Sequence, residues 1–165
     1  MEKRPVIIIH PSQLDKTIEL ISKILLLIMW ILAVFTFINM PAIVPVHFGA
    51  SGKPDDYGSK ATLWILPLLG TIIYFGLTWL NQYPQIFNYP TKITEANAGQ
   101  QYMMATRMLR FLKAGILLIF TFIILFTYLT ATGYANGLSN WFLPLMLVII
   151  LSPTSYFIAK SVKKK

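Results

Sequence analysis

His47, Asp55 and Asp56 place an imidazole and two carboxylates within ten positions of one another. Residues of these types can hold a divalent cation or work as an acid–base pair. Spacing alone does not make them converge. The favoured reading is structural: Asp55 and Asp56 close side-chain turns onto backbone amides and His47 packs over helix ends. Lys60 follows at the end of the same segment and completes a candidate binding set. The chain has no cysteine, which excludes disulfides, thiolate metal sites and a cysteine nucleophile. It has no Gly-rich phosphate loop, paired-histidine metal motif or nucleophile elbow. The expectation is therefore a protein that is not an enzyme, with no metal and no cofactor.

A second polar set comprises Asn88, Glu95, Asn97, Arg107 and Arg110. Thr94 can cap a helix, with Glu95 in its electropositive first turn, and that helix can run on through Met103 and Met104. Arg107, Arg110 and Lys113 fall three apart and share one helix face. With their stems in an apolar layer they would reach anionic lipid headgroups; a partner protein is the alternative. Asn88, Glu95, Asn97 and Tyr102 are placed to pin this segment against the ends of neighbouring helices.

The elements that position these residues follow from composition. Of 165 residues, 56% are apolar and only 12% charged, about half the charge of an ordinary soluble domain. Mean hydropathy is +0.63. The apolar residues form four blocks, at about 24–40, 61–80, 111–131 and 141–159. Each approaches the roughly 20 helical residues needed to cross a ~30 Å hydrocarbon core. No period-2 alternation marks membrane barrel strands. The expected fold is all-α, an integral membrane four-helix bundle spanning 24–159. An interfacial segment 1–23 precedes it, loops 41–60 and 81–110 lie on opposite sides, and a basic tail 160–165 follows.

Basic residues orient the bundle. Segment 1–23, loop 81–110 with its flank, and the tail hold twelve Lys and Arg, while loop 41–60 holds only Lys53 and Lys60. By the positive-inside rule both termini are cytoplasmic. The net charge of +8 then reflects cytoplasmic flanks near anionic lipid rather than nucleic-acid binding. No good cleavage site follows the first block, so that helix is expected to remain in the mature protein. Ser12 can cap a helix with Asp15 in its first turn, and Leu14, Ile18, Ile21 and Leu25 continue at helical spacing. This segment either lies on the interface or continues into the first span. The conformation of residues 5–11 stays open. Pro41, Pro45 and three glycines make 41–60 a tightly turned loop, and Pro153 with its hydroxyl neighbours is read as a packed kink.

The run Ile43-x-Pro45-x-His47-Phe48, then Gly52-x-Pro54-Asp55 and Gly58-Ser59-Lys60, resembles the bacterial membrane domain of unknown function found at the N-terminus of Sdp-type immunity proteins. Asn88-Tyr89-Pro90 and Ile93-Thr94-Glu95-x-Asn97-Ala98 resemble short stand-alone members of that family. Full Sdp-type proteins are longer and have further spans.

The resemblance implies a non-enzymatic membrane protein, binding a protein or peptide partner, with an immunity or envelope-stress role and location in the bacterial cell membrane. Transport, alone or as a homo-oligomer using Asn39, Thr71, Tyr74, Thr127 or Tyr128, is the alternative, although carriers usually place ionisable residues within spans. An enzyme built on His47 with Asp55 or Asp56 ranks third.

Overall fold

A computed structural model describes residues 4–163; Lys164 and Lys165 of the basic tail, and Lys3, lie outside the described residues. Helix α1 (Gln13–Asn39) leads into an antiparallel hairpin of β1 (Ile43–Phe48) and β2 (Pro54–Ser59). A 3-10 turn at Lys60–Trp64 passes directly into α2 (Ile65–Leu80). After a short 3-10 turn at Pro84–Ile86 come α3 (Glu95–Ala131) and α4 (Phe142–Lys163). Four helical segments are long and apolar enough to cross a membrane.

The expected bundle is present, with two changes at its ends. Residues 41–60, expected as a tightly turned loop of an all-α fold, pair as a β-hairpin, so the fold is mostly rather than wholly helical. Ile43, Val44, Val46 and Phe48 suit a strand, and Pro45 is tolerated because a two-stranded ribbon leaves one edge of each strand unpaired. Helices α1, α3 and α4 also extend beyond the apolar blocks. Of the two readings of the Ser12 segment, the continuous one holds: α1 begins at Gln13, where Ser12 and Asp15 form a reciprocal capping box. Thr94 and Asn97 do the same for α3, which runs unbroken for 37 residues, or about 55 Å.

Helix α3 is the central post and contacts the other three helices. It runs alongside α1 in the same direction, since Asp15 meets Arg107 near their starts and Met40 packs with Tyr128 and Ala131 near their ends. A core of Met29, Ala33, Tyr74, Leu117 and Ile124 joins α1, α2 and α3. Gly70 permits that crossing, because a Cβ there would lie 2.6 Å from the Met29 side chain. Trp30 donates to the Thr71 hydroxyl at 3.0 Å, so this indole serves packing between helices. Helix α4 is the most peripheral. It is tied to α3 by Gln101, whose side-chain NH2 donates to the Ser161 carbonyl at 3.1 Å while its side-chain oxygen accepts from the Ser161 hydroxyl. Beside Pro153, the Thr154 hydroxyl donates to the Ile150 carbonyl at 2.8 Å.

Residues 5–11 are extended, with Pro5, Ile7 and Ile9 half-buried and their neighbours exposed. Ile7 and Ile9 pack on Ile93, Ala98 and Tyr102, while Val6 and Ile8 are exposed. Tyr102 donates to the Pro5 carbonyl at 3.0 Å, and Arg4 reaches the carbonyls of Gln85 and Phe87. The extended segment thus closes over the connection between α2 and α3.

Candidate functional site

The hairpin end carries the first candidate set. A turn at Gly49–Lys53 reverses the chain, with Gly49 N–H donating to the Lys53 carbonyl at 2.9 Å. Gly52 has φ +76° and its backbone lies against Ser139, so a Cβ would come within 2.3 Å of that carbonyl oxygen. Its own carbonyl accepts from Leu138 N–H at 2.8 Å. These contacts fasten the hairpin tip to the α3–α4 connection.

His47 and Asp55 do converge, with Nδ1 and Oδ1 2.5 Å apart. Both are open to solvent, at 67% and 53% side-chain exposure. Asp56 is the cross-strand partner of His47 in the register, but its carboxylate accepts from Tyr57 N–H at 2.8 Å. The irregular pairing on either side of His47 accounts for this, since a bulge re-aims the side chain beside it. The set therefore resolves into one surface pair and one local turn. Among the described residues no group of three His, Asp or Glu is placed to share a cation.

Lys60 has a different task. Its ammonium donates to the Phe37 carbonyl at 2.9 Å and the Met40 carbonyl at 3.3 Å, and lies 4.8 Å from the centre of the Phe37 ring. It neutralises the electronegative C-terminus of α1, where the last carbonyls have no helical donors. That makes it a structural cap. Below the hairpin, a cleft of about 610 Å³ opens between β1, α2, α3 and α4. Phe48, Leu66, Ile123, Phe142 and Met146 wall it, Thr127 adds a hydroxyl, and His47 stands among its lining residues.

The second candidate set lies at the opposite end, where the structure gives its basic residues acidic partners within the protein. Arg107, Arg110 and Lys113 share one face of α3, as their spacing requires, and that face meets Asp15 and Glu19 of α1. Arg107 grips Asp15 with two hydrogen bonds, 2.8 Å to Oδ1 and 3.0 Å to Oδ2, and reaches the Ser12 hydroxyl at 3.0 Å. Asp15, 2% exposed, is thereby both helix cap and ion-pair partner. Lys113 is fully buried; it donates to Glu19 at 2.6 Å and to the Thr78 hydroxyl at 2.8 Å, and sits 4.6 Å over the Tyr74 ring. The Tyr74 hydroxyl donates to the same Glu19 carboxylate at 3.3 Å. Arg110 stands 3.8 Å from Asp15 and 4.0 Å from Glu19.

This five-residue ionic network across α1 and α3, reaching α2 through Tyr74 and Thr78, is what the sequence reading missed. Its signal was available: acids at 15 and 19 are one helical turn apart, as are the three cations taken in steps. The other inner candidates have local roles. Asn97 completes the α3 cap and donates to the Lys92 carbonyl at 3.0 Å. Glu95 lies in the exposed first turn, and Asn88 is also exposed. Tyr102 is fully buried and does pin the loop. Burial also raises the Tyr89 hydroxyl above its ordinary pKa, with Tyr102 nearby as a second cause.

The polar residues considered for a transport path are spread through the bundle. Asn39 donates to the Phe35 carbonyl, Thr71 accepts from Trp30, Tyr74 joins the ionic network, Thr127 faces the hairpin cleft, and Tyr128 packs on Phe35.

Residues 24–71 match the profile of a family described as a domain of unknown function, DUF1648. An uncharacterized protein of Archaeoglobus fulgidus is 34% identical over 93 residues, covering 50% of this chain and 51% of that protein. The chain thus spans about half the length of the relative it matches. No solved structure gives a significant match. The similarity to the domain of unknown function runs through the body of α1, the hairpin and the first half of α2.

Proposed function

We propose that this chain is a multi-pass protein of the bacterial cell membrane, with both termini cytoplasmic, that binds a partner rather than catalysing a reaction. Four long apolar helices and the twelve-to-two division of basic residues support insertion in that orientation. Exposed aromatic residues at both ends, Trp79 and Tyr83 at one and Tyr134 and Trp141 at the other, suit the two membrane–water interfaces. Flotation with liposomes and protease protection of a C-terminal tag test this part.

The partner is an apolar stretch of a peptide or protein that enters the cleft under the hairpin. The observation that carries this reading is the cleft itself: about 610 Å³, apolar walls, and an exposed His47–Asp55 pair beside them. Binding sites commonly combine such walls with a few polar groups that set orientation. With the resemblance to Sdp-type proteins, the concrete form is protection against a secreted peptide or envelope stress. In nanodiscs, Met146→Trp should fill the cleft and weaken binding of a labelled amphipathic peptide at least about tenfold, with little change in melting. Unchanged binding would remove the cleft from the proposal. Cells lacking the gene should become sensitive to a secreted peptide; unchanged sensitivity across a broad panel would remove the protective role.

Lys113, fully buried against Glu19 at one edge of the apolar helices, favours transport as a second reading, because a paired ionisable group there can mark an ion pathway. Proteoliposomes without proton or cation flux would retire it.

A further inference from the structure

We propose that the cavity beside the ionic network holds the headgroup of an anionic phospholipid, its phosphodiester toward Arg110 and Lys23 and its acyl chains along Leu20, Val6 and Ile8. This rests on the membrane insertion proposed above. The cavity measures about 680 Å³ and is bounded by α1, α2, α3 and the extended N-terminal segment.

Charge is the first argument. Lys16, Lys23 and Arg110 line the cavity, and Arg107 and Lys113 stand behind it, so five cations face two carboxylates. Both carboxylates are already engaged: Asp15 by Arg107 and Ser12, Glu19 by Lys113 and Tyr74. Three positive charges remain in surplus. A guanidinium withdrawn from water needs hydrogen-bonding partners as well as opposite charge. Arg110 is only 12% exposed, and its contacts at 3.8 and 4.0 Å are too long to be hydrogen bonds. Among the described residues it makes no other polar contact. An oxyanion in the cavity would supply what Arg110 lacks.

The second argument is depth. Counted along α1 from Asn39, Glu19 lies about 30 Å away; along α3 from Ala131, Arg110 lies about the same distance. That is one hydrocarbon thickness, so the cavity sits at headgroup level. The third is the remaining lining. Leu20, Val6 and Ile8 are exposed apolar residues on the same lining. Phosphate alone would leave them uncovered; a glycerophospholipid would cover them.

The protein purified in neutral detergent is titrated with phosphatidylglycerol, phosphatidylcholine or inorganic phosphate, with bound species counted by native mass spectrometry. One phosphatidylglycerol should be retained at least about tenfold more tightly than phosphatidylcholine. Lys23→Gln, at an exposed position, should weaken it about fivefold, and Arg110→Gln about ten- to hundredfold. Equal retention of the two lipids, or retention unmoved by both variants, would overturn the proposal. Inorganic phosphate displacing the lipid at equal concentration would assign the site to a free oxyanion and overturn the lipid reading. Because liposome flotation reads insertion separately, its failure is distinguishable from loss of lipid selectivity.

Discussion

The two ends of this bundle use charge in opposite ways. At the hairpin end His47 and Asp55 meet at 2.5 Å yet stay largely in water, where a pair contributes little to stability. At the N-terminal end Asp15, Glu19, Arg107 and Lys113 pair across helices, with Lys113 fully out of solvent. There, removing one partner strands a buried charge. The first arrangement leaves its groups available for a visitor. The second locks α1 to α3, and only Arg110 is left with incomplete partners.

The largest test of this contrast is Glu19→Ala, which leaves the Lys113 ammonium and the Tyr74 hydroxyl without their carboxylate. It should destabilise the protein by about 3–5 kcal/mol, measured by unfolding in mixed detergent micelles. Glu19→Gln combined with Lys113→Met should recover much of that loss, because no charge is left stranded; no recovery would mean the pair is not the source. Asp15→Ala removes both the α1 cap and the Arg107 clamp. About 2–4 kcal/mol is expected from the capping and charge-assisted bonds together, with faster amide exchange in the first turns of α1.

At the hairpin end Gly52→Ala should cost about 1–3 kcal/mol through its positive φ and the Ser139 backbone. Exchange should quicken in β1 and β2 while the ionic network keeps its protection. Lys60→Met, which uncaps α1, should cost about 1 kcal/mol. His47→Ala should change stability by less than about 0.5 kcal/mol, and weaken peptide binding if the rim of the cleft is used. A His47→Ala protein that fails to accumulate would place His47 with the structural residues and erase the contrast.

The four helices were legible because blocks of apolar residues and the absence of period-2 alternation are local properties. The caps at Ser12 and Thr94 were legible for the same reason: a cap is made by residues three apart. The β-hairpin was only partly so. Pro45 and the glycines announced extended and turned backbone, but pairing of Ile43 with Ser59 depends on two segments meeting. The candidate site divided similarly. His47 and Asp55 could be named without showing that they touch, and Asp56 belonged to the same motif yet serves its own strand.

The sequence by itself determined the number of long apolar segments, their helical form, and which segments carry the basic charge, since each depends on composition or short-range spacing. Only the tertiary structure decided what those charges face. Arg107, Arg110 and Lys113 were expected to meet lipid headgroups, and the direction of their shared face could not be read from α3 alone. It is set by α1 running beside α3 in the same direction, which brings Asp15 and Glu19 to their level. A partner 92 or 94 residues away in the chain leaves no local trace, and burial makes that distant pairing matter.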